Sequence, residues 1–91
     1  MPYIKQEERA QVDAEIEALA WKMRQMVQNG AGSEGLLNYV VSRLIGLIIG
    51  EIRYAKIAWV TGVLENIKQE FYRRQAAPYE DSKIAENGDL Y

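Results

Sequence analysis

The feature that most constrains this chain is a segment that is apolar around most of the circumference of a helix. With 3.6 residues per turn, the apolar side chains between Ser33 and Gly50 spread over roughly 220°. They are Leu36, Leu37, Val40, Val41, Leu44, Ile45, Leu47, Ile48 and Ile49. An ordinary surface helix needs an apolar stripe of only about 100°. The sequence therefore predicts a central helix that must be covered on more than one side.

The apolar segment is too short and too polar to predict a membrane span. Arg43 divides it and Glu51 follows it, whereas a span needs roughly 20 predominantly apolar residues. The opening residues Met1–Glu8 lack the apolar stretch of a secretory signal. We therefore expect a soluble, cytoplasmic protein that does not enter a membrane.

In the remainder of the chain, apolar residues also recur with the period of an amphipathic helix. A glycine-rich loop at Asn29–Gly35 separates the first two helices, and Pro78 is expected to end the third. The predicted helices cover residues 13–28, 34–50 and 56–75, with a partly helical tail at 78–91. The expected fold class is all-α: a single domain over residues 1–91, built as a three-helix bundle with a short C-terminal helical tail.

Two helix boundaries stay open from the sequence. Residues 5–12 fit either a separate helical turn or an extension of the first helix. Residues 51–55 contain no proline and no strong N-terminal cap. The second and third helices could therefore also form one long bent helix through Gly50.

The width of the central apolar face indicates an oligomer. One chain of 91 residues offers its central helix only two helical neighbours, and large exposed apolar patches usually mark interfaces. We interpret the chain as a homodimer in which the central helix packs against its mate through a two-fold axis. The predicted interface residues are Trp21, Leu44, Ile48 and Trp59. In the alternative interpretation, residues 79–91 cover the extra face within one chain.

The composition removes several kinds of active site. The chain contains no cysteine and no histidine, so it lacks thiol nucleophiles, cysteine-based zinc sites and the commonest general base. We predict no catalytic residue, no metal site and no cofactor. The sequence favours an interaction or structural role over an enzymatic one.

Two enzyme classes are alternatives to that interpretation. All-α nucleotide hydrolases hold a divalent metal with carboxylates three or four residues apart on a helix. Glu65 and Glu70 are five residues apart, so this alternative also needs acids from a second subunit. Small tautomerases use an N-terminal proline as a base, which Met1–Pro2 would supply, but Lys5–Arg9 is a poor match to the strand they need.

Charge and aromatic character concentrate on both sides of Pro78. The candidate residues for binding a partner are Tyr72, Arg73, Arg74, Tyr79, Glu80 and Asp81. Residues 56–75 contain four basic and two acidic side chains, and a basic surface with aromatic residues can bind nucleic acid. Residues 79–91 contain four acidic side chains and one lysine. We interpret this acidic tail as neutralising the third helix, so the expected partner is an unidentified protein and not a nucleic acid.

Several stretches of the sequence resemble a known family. They are Met1–Lys5, Leu37–Val40, Gly62–Glu65, Glu70–Arg74, Pro78–Asp81 and Glu86–Tyr91. They are similar to a family of short, uncharacterised bacterial and phage proteins that form a domain of unknown function. The resemblance covers most of the chain, and its C-terminal third is the most specific part. It implies no catalytic residue. The function expected from the sequence is that of a small, non-enzymatic helical interaction or structural module.

Overall fold

The computed structural model describes residues 3–91, and every regular element within that range is helical. The predicted all-α class is therefore confirmed. The tautomerase hypothesis depends on Met1 and Pro2, which lie outside the described residues. Residues 3–52 form one unit and residues 53–91 form another. The single domain and the three-helix bundle both stay predictions.

Helix α1 runs from Gln6 to Gln28, so the predicted start at residue 13 is corrected. The carbonyl of Lys5 accepts hydrogen bonds from the amides of Glu8 and Arg9, each over 3.0 Å. Glu7 and Glu8 lie in the first turn, where negative charge is stabilised by the helix dipole. Residues 6–12 also contain neither glycine nor proline. The helix therefore begins at Gln6, before Asp13, with acidic side chains in its first turn.

A glycine ends α1 and a four-residue loop leads into α2. Gly30 has a φ of +105°, and the amide of Gly30 donates to the carbonyl of Val27 over 3.1 Å. The amide of Ala31 donates to the carbonyl of Met26 over 2.9 Å. This pair of bonds is the Schellman arrangement that closes helices on a left-handed glycine. Helix α2 then runs from Ser33 to Ile49.

Gly50 separates α2 from the next helix. Its φ of +64° and ψ of −127° are strained for any residue with a side chain. Arg53 is extended, and α3 runs from Tyr54 to Phe71. The alternative of one long helix through Gly50 is therefore wrong.

Pro78 does not end the helical run, which corrects the sequence-based expectation. Helix α3 passes into a π-helical turn, Tyr72–Ala76, and then into α4, Ala77–Asn87. A proline inside an α-helix clashes with the carbonyl four residues earlier. The wider turn shifts the bonding pattern just before Pro78, and the amide of Ala77 donates to the carbonyl of Tyr72, five residues earlier. The π-helical turn therefore lets the helix continue until Gly88.

None of the side chains in residues 3–91 is fully buried. On α2, the half-buried apolar residues lie along the two edges of the apolar face, and they are Leu36, Val40, Ile45 and Ile49. The middle of that face is exposed to solvent, and so is Leu47 on one of its edges, at 63%. Within the described part of the chain, no helix combines the length and the apolar character that a membrane crossing requires.

Candidate interaction site

The structure brings part of the predicted partner-binding set together around Pro78. We call this set the proline-flanking site, and it consists of Tyr72, Arg73, Arg74, Tyr79, Glu80 and Asp81. The first three residues belong to the π-helical turn and the last three to α4. Because both elements are parts of one continuous helical run, their side chains occupy fixed positions relative to one another.

One hydrogen bond connects the two halves of the proline-flanking site. The phenol of Tyr72 donates to a carboxylate oxygen of Glu80 over 3.2 Å. In a regular α-helix, residues eight apart lie about 80° apart around the axis, whereas residues seven apart nearly coincide. A π-helical turn holds one residue more than an α-helical turn. The turn at Tyr72–Ala76 therefore places Tyr72 and Glu80 on the same face.

The same contact changes the acidity of Tyr72. The negative charge of Glu80 raises the pKa of the phenol above its ordinary value of 10.0, and the hydrogen bond to Glu80 and a smaller effect of Asp81 act in the same direction. A phenolate at this position would face a carboxylate, whereas the neutral phenol donates a proton to it. Tyr72 is therefore held in its neutral, donating form.

Other charged side chains near the site are paired along the helix. Arg73 pairs with Glu70 over 2.9 Å. The Nζ atom of Lys83 lies 5.5 Å from the centre of the Tyr79 ring, within range of a cation–π contact. Sequence reasoning missed Lys83, although its spacing of four residues from Tyr79 was a signal for a contact on one helix face.

These pairs also bear on nucleic-acid binding. The hypothesis of a basic surface concerned residues 56–75, and its basic and aromatic candidates there are Lys68, Tyr72, Arg73 and Arg74. Lys68 lies 3.7 Å from the carboxylate of Glu65, and Arg73 and Tyr72 each contact a carboxylate of their own helical run. At least three of these four side chains thus contact carboxylates of the same chain. Carboxylates beside basic groups oppose phosphate binding, so these contacts are in line with the expectation that nucleic acid is not the partner.

The carboxylates of the metal-dependent alternative are engaged in the same way. Glu65 accepts a hydrogen bond from the side chain of Gln69 over 3.1 Å, and Glu70 binds Arg73. Across residues 3–91, no three acidic side chains come together as a metal-binding group.

A second surface lies in the middle of the apolar face of α2. We call it the α2 seam, and its residues are Leu37, Val41, Leu44 and Ile48, which are 57%, 36%, 45% and 69% exposed. The predicted interface residues Leu44 and Ile48 belong to it. Sequence reasoning missed Leu37 and Val41 because the whole apolar arc was taken together. Steps of three and four residues also connect Leu37, Val40, Leu44 and Leu47, so the sequence held no signal that singled out the seam.

The other two predicted interface residues are tryptophans on separate elements. Trp21 on α1 is 58% exposed and Trp59 on α3 is 54% exposed. Large aromatic side chains that remain in water are enriched at protein interfaces. Their place in a dimer interface stays a prediction.

The chain matches the model of a known protein family. The family described as Domain of unknown function (DUF6899) matches residues 1–90. No curated protein matches the chain, and no solved structure matches it. The resemblance to a domain of unknown function is thereby confirmed. The bacterial or phage origin and the diagnostic value of the C-terminal segment stay predictions.

Proposed function

The chain belongs to the DUF6899 family, a domain of unknown function, and from its own surfaces we propose that it is a non-enzymatic helical interaction module that works as a homodimer. The two subunits meet through the α2 seam. The proline-flanking site on each subunit is the surface that binds a further protein. The cytoplasm is the proposed location.

The exposed apolar face of α2 carries this proposal. Leu37, Val41, Leu44 and Ile48 lie on one face of a single helix, and all four are exposed. Exposed apolar patches of this kind usually mark protein–protein interfaces. A second copy of the chain would cover this face.

The chemistry of the exposed surface supports the same conclusion. The residues of the α2 seam are all large and aliphatic, and Ile48 is the most exposed of them. Covering apolar area contributes about 25 cal/mol per Å². Helix α2 is 17 residues long, and most of the stability of a helix in a protein comes from the packing of its apolar face. Packing of the seam against a second copy is therefore the main source of stability that we propose for α2.

The proline-flanking site has a different character from the seam. Its groups are polar and aromatic, and Tyr72, Tyr79 and Glu80 are exposed. Their positions are fixed by the contacts between Tyr72 and Glu80 and between Lys83 and Tyr79. Polar and aromatic groups of this kind are typical of surfaces that bind another protein reversibly.

The dimer is tested by measuring molar mass with light scattering and sedimentation equilibrium. The unsubstituted chain is expected at twice 10.4 kDa. Leu44→Glu places a charge in the seam and is expected to give the monomer mass. The matched control is Ser42→Glu, which introduces the same charge on the other side of α2 and should leave the dimer intact.

Two outcomes contradict the proposal. One is an unsubstituted chain of 10.4 kDa at micromolar concentration with full helical circular dichroism. The other is a monomer mass for both Leu44→Glu and Ser42→Glu. Because Leu44→Glu can also unfold the chain, Leu44→Ala is measured in parallel and should weaken the dimer while keeping the helical signal.

The hydrolase alternative is tested on the same dimer. A ligand that binds only the folded state raises the melting temperature. Millimolar Mg²⁺ or Mn²⁺ should leave the melting temperature of an interaction module unchanged. A clear metal-dependent rise that disappears in Glu65→Gln and Glu70→Gln would favour the metal-dependent hydrolase instead.

A further inference from the structure

We draw no further inference here: the strongest candidate, the apolar groove between the end of α1 and the beginning of α2, which is lined by Met23, Val27 and Leu36 among others, carries nothing further because nothing in the structure shows what covers it.

Discussion

The phenol of Tyr72 and the carboxylate of Glu80 are joined by a hydrogen bond of 3.2 Å that spans Pro78. Tyr72 opens the π-helical turn and Glu80 lies in the first turn of α4. The bond depends on the extra residue in that turn, since an unbroken α-helix would rotate the two side chains apart. The proline, the wide turn and the charge at Glu80 therefore act as one local structure.

Tyr72→Phe is expected to change how stability depends on pH. The folded pKa of Tyr72 is raised above 10.0, so the contact is fully present below the unfolded pKa of about 10 and is lost as the pH rises through the raised folded value. Urea unfolding between about pH 9 and 12 should show this loss in the unsubstituted chain and a smaller loss in Tyr72→Phe. Identical pH profiles for the two proteins would contradict the contact.

Glu80→Gln tests the cause of that raised pKa. Glutamine can still accept a hydrogen bond, but it removes the negative charge, which is the largest cause of the shift. The pKa of Tyr72 should then lie close to that of an ordinary tyrosine. It is measured from the absorbance of the phenolate, and Tyr72→Phe is the reference that lacks this group. Glu86→Gln is the matched control, because Glu86 pairs with Lys83 over 3.0 Å on the same helix. That control should leave the titration unchanged.

Pro78→Ala is expected to convert the π-helical turn into α-helix. Alanine restores the missing amide and removes the ring that clashes inside an α-helix, which is worth up to about 3 kcal/mol in an interior position. The melting temperature should rise. Since Tyr72 and Glu80 would then lie on different faces, the pKa of Tyr72 should fall. A higher melting temperature with an unchanged tyrosine titration would show that the turn does not depend on the proline.

The helices could be predicted from the sequence because apolar periodicity and glycine positions report local structure directly. Gly50 and Gly88 end helices in the structure, at φ of +64° and +91°. The π-helical turn could not be predicted in this way. Proline has no amide to donate, and whether a helix stops or widens there depends on the contacts on both sides, such as the one between Tyr72 and Glu80.

The sequence predicted which residues belong to the candidate site, but not which of them contact each other. Tyr72 and Glu80 were both named from the sequence, but residues eight apart do not normally face each other on an α-helix. The pairing became visible only with the extra residue of the turn in place. On α2, the half-buried edges and the exposed middle could not be separated from the sequence, because all the residues of the arc are similarly apolar.

Gly46→Ala and Gly50→Ala are expected to have opposite effects. Apart from Gly46 itself, its chain neighbours and the nearby backbone of α2, no described atom lies within 4 Å of a Cβ added at Gly46. This residue is also opposite the α2 seam, so alanine should stabilise the helix by about 0.5–1 kcal/mol. Gly50 has a φ of +64°, and alanine there should destabilise the fold by about 1 kcal/mol or more. Thermal unfolding of the two variants measures both. A dimer weakened by Gly46→Ala would contradict the placement of the seam.

Tryptophan emission is expected to follow dimer dissociation. Trp21 and Trp59 are more than half exposed in the single chain, and the emission of an indole moves to longer wavelength when it enters water. Trp59→Phe leaves Trp21 as the reporter, and Trp21→Phe leaves Trp59. On dilution from high micromolar to nanomolar concentration, both variants should show a red shift over the range in which the molar mass halves. Leu44→Glu should show the red-shifted spectrum at every concentration. If the emission of one tryptophan stays constant while the molar mass halves, that tryptophan lies outside the interface. The dimer contact would then be confined to α2 and the other tryptophan.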